Sequence, residues 1–236
     1  MKRLILAVQF MTRLPLPNVD ASAEDFAACI RWFPAAGLIV GGAVAGAAFT
    51  GGLLDPLAGA LFGLVAWVAI TGALHLDGLG DIADAAGAVH ADRERLSAVL
   101  ADPHIGSFGV TAIALQLITK LILLYLVVDQ VPLWMLILLP AIARIGPLVW
   151  TLILPPLHAG LASRFREGTN WWQVAGWAVV SAWILPLAPG LGVAIVAVPL
   201  WACWLRTRIG GISGDGHGAG IELLESVLLC ALVATA

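Results

Sequence analysis

Charged residues are scarce in this sequence. Only 11% of its 236 residues are Asp, Glu, Lys or Arg, whereas a soluble domain carries about 25%. So little charge cannot cover a water-facing surface, and 61% hydrophobic residues with a mean hydropathy of +0.98 favour a protein embedded in the lipid bilayer. The formal net charge is only −3, and we expect no nucleic-acid partner.

Cysteine is rare as well, and Cys29, Cys203 and Cys230 are far apart in the sequence. None belongs to a C-x-x-C pair, so neither a disulfide framework nor a zinc site is predicted, and we interpret all three as buried free thiols. Tyrosine is limited to one residue, whereas ten residues are Trp, which is favoured at the headgroup level of a membrane. No polar linker divides the chain, so we predict a single integral membrane domain over residues 1–236.

Apolar runs are frequent, and a helix needs about 20 such residues to cross the hydrocarbon core. Seven candidate spans lie at approximately 34–54, 57–76, 108–128, 132–154, 172–188, 190–205 and 221–236. The fifth and sixth are short and contain prolines, so the count is six or seven. The predicted fold is all-α, a polytopic transmembrane helical bundle.

Glycines four residues apart occur in the first two runs. The pairs are Gly37 with Gly41, Gly42 with Gly46, and Gly59 with Gly63. Small residues at this spacing let two helix backbones approach closely. We predict that these pairs serve helix packing.

Basic residues fall on one side of the bundle if the N-terminus is cytoplasmic and seven spans alternate. Ten of the twelve then lie in cytoplasmic segments, none lies in an outer connection, and Lys120 and Arg144 lie inside spans. This is a strong positive-inside signal. It predicts a multi-pass protein of the bacterial cytoplasmic membrane. The histidines and most acids lie on or near the same side, so we predict a cytoplasmic active site.

The stretch HLDGLGDIADAAG, residues 75–87, contains three aspartates among apolar residues. Asp77, Asp81 and Asp84 are spaced i, i+4 and i+7, which places them on one face of a helix. Like charges on one face repel, so a cation should offset them. Carboxylate ligands suit a hard ion such as Mg²⁺, and Asp102 could complete the site from across a helical hairpin. The alternative is a solvated loop, which the apolar neighbours disfavour.

A glycine-rich stretch, GGISGDGHGAG, occupies residues 210–220 before the last apolar run. Backbone amides at a helix N-terminus favour an anion, and glycine permits close approach to one. The stretch lacks the G-K-[ST] of a P-loop, which excludes a Walker-type site. A flexible connector is an equal alternative.

Lys120 and Arg144 are expected to face the bundle interior, because a cation exposed at the centre of the bilayer costs at least ~2.5 kcal/mol. Two interpretations stay open for both residues. Either they reach a phosphate group, or they pair with a carboxylate or a carbonyl for structure.

Four stretches together resemble the cobalamin synthase family, also called adenosylcobinamide-GDP ribazoletransferases. They are FMTRLPLP (10–17), HLDGLGDIADAAG (75–87), DPHIGSFGV (102–110) and GGISGDGHGAGIELLE (210–225). The second and fourth are the specific ones, and the four follow the family order along almost the whole chain.

The resemblance implies a membrane enzyme that uses Mg²⁺. It joins adenosylcobinamide-GDP to α-ribazole, or to its 5′-phosphate, and releases GMP in a late step of cobalamin biosynthesis. The bilayer and these small molecules are the expected partners, and a homo-oligomer is left open.

Roles for the acidic residues follow from this reaction. Asp77, Asp81 and Asp84 are expected to hold one or two Mg²⁺ on the diphosphate, since metal ions can clamp the attacking and leaving oxygens. Asp102 either joins them or takes the proton of the ribazole hydroxyl as general base, so Asp81, Asp84 and Asp102 form the expected catalytic set. His75 is expected to hydrogen-bond a metal-bound carboxylate.

Further residues are expected to hold the substrates. Those that would position the nucleotide or the second substrate are Asp215, Ser213 and Gly214. Those that would contact phosphate are Arg13, Lys120 and Arg144.

A transporter of divalent cations or organic anions is the alternative class. Transport sites usually lie near the bilayer midplane. No Asp, Glu or His falls in the middle of the seven assigned spans, and this favours the enzyme.

Overall fold

The computed structural model of the protein describes residues 1–87 and 104–236. These residues form α-helices joined by short connections, and one isolated backbone bridge joins Pro156 to Ile212. The helices are α1 Lys2–Met11, α2 Ala23–Ala27, α3 Phe33–Gly52, α4 Pro56–Thr71, α5 Leu74–Gly87, α6 Ser107–Gln130, α7 Met135–Ala143, α8 Gly146–Ile153, α9 Leu161–Gly168, α10 Trp171–Ile184, α11 Ala194–Arg208 and α12 Gly214–Ala234. Two 3₁₀ turns, Ala28–Trp32 and Pro189–Val193, lead into α3 and α11.

Helices long and apolar enough to cross a membrane confirm the predicted all-α transmembrane bundle. Five lie in the described residues, at Ala23–Gly52, Ser107–Gln130, Met135–Ile153, Pro189–Arg208 and Gly214–Ala234. The bent pair of α4 and α5 brings the count to six. The predicted run at 172–188 forms α10, whose 14 residues are too few to meet this length on their own.

The last helix begins earlier than its apolar run indicates. It starts at Gly214, and the run was predicted to start at residue 221. Glu222 and Glu225 are therefore the ninth and twelfth of its 21 residues, near the middle of the span. The expectation that no acid lies in the middle of a span is wrong, because the glycine-rich stretch before the run is helical and moves the start of the span back.

A sharp break separates α4 from α5. Gly72 ends α4 in the left-handed region with φ +60°, and Ala73 follows with φ 58°. A left-handed glycine is a common way to end a helix. The two helices consequently meet at 85°, so α5 turns away from the direction in which α4 crosses.

Glycines pack α3 against its neighbours, as predicted for two of the three pairs. A Cβ on Gly37 or Gly41 would collide with the backbone of α7, and a Cβ on Gly59 would collide with that of α3. Gly42 and Gly46 have nothing within 4 Å of a Cβ, so the prediction is wrong for this pair.

All three cysteines are free, as predicted. Cys29 is buried, whereas Cys203 and Cys230 are exposed. The prediction of burial is wrong for these two because they lie on outward faces of α11 and α12.

Candidate active site

Helix α5 carries the aspartates of the first acidic stretch. Asp77 is exposed, while Asp81 and Asp84 are partly buried. Leu79 and Ile82 lie on the other side of the helix and are buried in the core. The predicted acidic face is confirmed, and it belongs to an amphipathic helix that packs on the bundle by its apolar side.

The N-terminus of α12 brings a fourth acid to this face. A Cβ on Gly78 would lie 2.9 Å from the Cα of Asp215, so the absence of a side chain at position 78 lets α5 approach the start of α12. Ser213 is the N-cap of α12, since its Oγ accepts a hydrogen bond from the amide of Gly216 at 3.0 Å. Ser213 and Gly214 thus begin a helix, and the flexible-connector alternative is wrong.

Asp84 has backbone partners that the sequence analysis did not foresee. Its carboxylate accepts hydrogen bonds from the amide of Gly106 at 2.7 Å and from the amide of Gly109 at 3.0 Å. Both amides belong to the first turn of α6, where backbone N–H groups lack helical partners. Asp84 therefore stabilises the start of α6, which argues against its predicted roles as metal ligand and catalytic group. Asp102 lies outside the described residues, and its predicted role stays a prediction.

The other acids of the cluster, Asp77, Asp81 and Asp215, form no salt bridge with the residues that the structure describes. Within residues 1–87 and 104–236, no hydrogen bond reaches the carboxylates of Asp77 or Asp81. Asp81 lies on α5, the helix that turns away from the membrane crossing. Partial burial and the nearby carboxylates of Asp215, Asp77 and Asp84 raise the pKa of Asp81 to about 6. A bound cation would remove this repulsion.

The acidic side chains of the site do not by themselves form a complete set of metal ligands. In the described part of the chain, no three His, Cys, Asp or Glu side chains stand close enough together to hold a metal. The donor chemistry still fits, because Asp77, Asp81 and Asp215 supply the carboxylate oxygens that Mg²⁺ prefers.

The two cations inside the bundle are bound to acids of α12. Lys120 Nζ lies 2.6 Å from Glu222 Oε2 and 2.6 Å from Glu225 Oε2, and Arg144 Nη1 lies 2.8 Å from Glu225 Oε1. Gln116 also donates to Glu222 Oε2, at 3.0 Å. All of these side chains are buried. The structural interpretation of Lys120 and Arg144 is therefore favoured over the predicted phosphate contacts.

Arg13 remains a candidate for phosphate contact. Its side chain is exposed and packs over Gly72, at the break that precedes α5. Its amide donates to the carbonyl of Ile70 at 2.7 Å, which holds the segment after α1 against the end of α4. Arg13 thus lies near the start of the helix that carries the acids.

A cavity of about 100 Å³ adjoins the acidic cluster. We call it the aromatic cavity, and it is lined by Phe10, Met11, Phe33, Leu74, His75, Asp77, Phe165, Gly214, Asp215, His217, Gly218 and Ile221. Three of the four stretches that carry the family resemblance contribute to its wall. Nothing in the sequence separated Phe33 or Phe165 from ordinary core residues, since their closeness to the site arises only from tertiary packing. His217 lies in the glycine-rich family stretch, but no role was predicted for it.

His75 lies in this wall and not beside a carboxylate partner. It is only 3% exposed, and its Nε2 lies 3.4 Å from the Sδ of Met11. Its Nδ1 has no hydrogen-bond partner in the described residues. The predicted hydrogen bond from His75 to a metal-binding carboxylate is therefore absent from this part of the chain.

Comparison with known proteins agrees with the resemblance. A family model described as cobalamin-5-phosphate synthase matches residues 3–233. Proteins named adenosylcobinamide-GDP ribazoletransferase are similar over the whole length. The one from Novosphingobium aromaticivorans is 55% identical, covering 100% of this chain and 97% of the relative. The one from Laribacter hongkongensis is 50% identical, covering 100% and 98%.

A third relative of the same name, from Thiobacillus denitrificans, is 49% identical over 97% of this chain and 94% of its own. No solved structure matches the chain significantly. A family match over nearly all residues, together with full-length relatives near 50% identity, shows that the chain belongs to the cobalamin-5-phosphate synthase family.

Proposed function

We propose that this protein transfers the adenosylcobinamide phosphate group from adenosylcobinamide-GDP to α-ribazole or α-ribazole 5′-phosphate. The observation that carries the proposal is the approach of two family stretches, which brings Asp215 at the start of α12 to the acidic face of α5. Asp77 and Asp215 line one cavity there. The full-length relatives named for this reaction support it.

The reaction exchanges one phosphorus–oxygen bond for another. A ribazole hydroxyl oxygen bonds to the phosphorus that carries cobinamide, and the bond from that phosphorus to the bridging oxygen breaks. GMP leaves with the bridging oxygen, and the hydroxyl proton passes to a base. Asp102 stays the predicted base or additional ligand.

Mg²⁺ is the proposed cofactor, and it would neutralise the negative charge of the diphosphate. Asp77, Asp81 and Asp215 would hold it, because the charges of these carboxylates act on one another and no salt bridge neutralises them among the described residues. Asp84 would position α6 against α5. Arg13 would contact phosphate from the exposed side of the site.

The proposed setting is the bacterial cytoplasmic membrane, with the N-terminus and the site inside. The distribution of Lys and Arg supports this orientation, because positive residues favour the cytoplasmic side. The proposed enzyme class is that of the Mg²⁺-dependent phosphotransferases.

A transporter is not favoured. The acids within the span, Glu222 and Glu225, are held by Lys120 and Arg144 in a buried network. Their charge is compensated inside the protein, so they offer no open midplane site for an ion.

GMP release by the purified protein in detergent tests the proposal. We expect release that requires both substrates and Mg²⁺, and at least a 100-fold loss in Asp77→Asn, Asp81→Asn and Asp215→Asn, because a metal-ligand charge is removed. Asp55→Asn is the matched control. Asp55 caps α4 through the amides of Leu57 and Ala58, and Asn is an equally good cap. Wild-type turnover in all three variants would overturn the proposed site.

A further inference from the structure

The aromatic cavity has walls of two kinds. Phe10, Phe33 and Phe165 form one side, and the Phe33 and Phe165 rings meet edge to face with centroids 5.4 Å apart. Asp77 and Asp215 lie on the other side, where the cavity adjoins the acidic cluster. An occupant of the cavity would therefore have a flat apolar part and would continue into a polar part beside the carboxylates.

His75 adds one buried polar atom to the apolar side. It is 97% buried by side-chain packing, since only 3% of its surface is exposed. Its Nδ1 has no hydrogen-bond partner in the described residues, although buried polar groups are nearly always hydrogen-bonded. Because His75 lines the cavity, an occupant can supply the partner that this buried nitrogen lacks once the imidazole ring turns toward it.

We propose that the aromatic cavity binds the base of α-ribazole, an inference that rests on the proposed function. This base is a dimethylbenzimidazole, which is flat and apolar and has one free ring nitrogen that accepts hydrogen bonds. With its proton on Nδ1, His75 donates to that nitrogen, and the Phe rings pack on the faces and edges of the base. The ribose, with its attacking hydroxyl, then lies toward Asp77 and Asp215.

The other substrate offers guanine, which suits this cavity less well. Guanine carries a carbonyl, a ring N–H and an amino group along its edge. Each would lose its water, and Phe33, Phe165 and Ile221 return no hydrogen bond. The acceptors in the wall, the carboxylates of Asp77 and Asp215, are assigned to the metal ion. The cavity measures about 100 Å³, less than the roughly 150 Å³ that binds benzene, so the side chains around it must move apart to admit the base.

Steady-state kinetics on Phe165→Leu and Phe165→Ala test the assignment. We expect the KM for α-ribazole to rise about tenfold or more, since stacking of a base on one aromatic ring is worth about one to two powers of ten. The KM for adenosylcobinamide-GDP and the kcat should stay within about twofold. His75→Asn should raise the same KM and leave the other unchanged.

Phe26→Leu is the matched control. Phe26 belongs to the same ring cluster, with centroids 5.5 Å from Phe165 and 5.9 Å from Phe10, but it does not line the cavity. It should lower stability as Phe165→Leu does without raising the KM for α-ribazole. Equal effects of the two Leu variants, or a rise in the KM for adenosylcobinamide-GDP alone, would overturn the assignment.

Direct binding separates this inference from the proposed reaction. Equilibrium dialysis with labelled α-ribazole, without the second substrate, should show binding to the wild type that is weakened about tenfold in Phe165→Leu. If the wild type binds α-ribazole in this way but releases no GMP, the proposed reaction fails and the cavity assignment stands. If GMP is released while dialysis shows equal binding by wild type, Phe165→Leu and His75→Asn, the assignment fails alone.

Discussion

At the scale of single residues, the acids of this protein differ in what satisfies their charge. Asp84 accepts hydrogen bonds from two backbone amides, and Glu225 forms ion pairs with two cations inside the bundle. Asp77 and Asp81 have neither kind of partner in the described residues. Spacing in the sequence could not separate Asp84 from Asp81, because the amides that bind Asp84 come from a helix 22 residues further along the chain.

Asp84→Asn should lower stability more than it lowers the chemistry. We expect the free energy of unfolding to fall by about 0.5–2 kcal/mol, as for other losses at a helix start, and folded protein to keep most of its GMP release. Thermal unfolding in detergent and turnover per folded molecule are the measurements. Loss of turnover at unchanged stability would show that Asp84 acts in metal binding or catalysis and not only at the start of α6.

Lys120→Met tests the buried network. Removing Lys120 leaves Glu222 without a cation, while Glu225 keeps Arg144. An uncompensated buried charge of this kind costs about 3–5 kcal/mol of unfolding free energy in comparable buried pairs. The double variant Lys120→Met/Glu222→Leu should recover part of that loss. Lys2→Met, at an exposed lysine, is the control.

The same variant distinguishes the two roles considered for Lys120. For the structural role, the KM for adenosylcobinamide-GDP stays unchanged in the folded fraction. A raised KM at wild-type stability would show that Lys120 contacts phosphate.

At the scale of helices, most of the fold could be predicted from apolar runs, and the helix ends could not. The i, i+4, i+7 acids and the packing of Gly37 and Gly41 follow from helical periodicity alone. The early start of α12 was missed because four glycines in its first turns have low helix propensity, which the cap at Ser213 and packing against α5 override. The break at Gly72 was missed because the apolar run continues through it.

Gly41→Ala and Gly42→Ala form a matched pair on α3. A methyl group at position 41 would collide with the backbone of α7, whereas position 42 is open. We expect Gly41→Ala to lower the free energy of unfolding by about 1–3 kcal/mol through overpacking. Gly42→Ala should be neutral or stabilise by up to about 1 kcal/mol, because Ala favours the helix. Unfolding in detergent measures both, and equal behaviour would contradict the packing described for α3 and α7.

At the scale of the whole molecule, two contacts determine how often the chain crosses the bilayer. Leu157 donates to the carbonyl of Ile212 at 3.0 Å, so the connection after α8 lies at the start of α12. Gly190 packs against Ala231, which lies 17 residues, or about 26 Å, beyond the first residue of α12, Gly214. The chain must therefore cross between these points, and α10 with the turn after it supplies a short crossing. We therefore predict a seventh crossing there, in addition to the six candidate spans found by helix length and composition.

Cysteine labelling tests this path. In a variant without the three native cysteines, Leu187→Cys should react with an impermeant maleimide from the outer face of intact cells, like Leu54→Cys in the turn after α3. Ala159→Cys should react only after the membrane is opened. Labelling of position 187 only from the inner face would contradict the crossing by α10.

The central claim is that carboxylates of α5 and α12 share one divalent cation beside the aromatic cavity. Electron paramagnetic resonance of Mn²⁺ added to the purified protein, without substrates, tests it most directly. We expect one bound Mn²⁺ that Mg²⁺ displaces, with binding lost in Asp81→Asn and in Asp215→Asn and retained in Asp55→Asn. Mn²⁺ binding that survives both substitutions would contradict the claim.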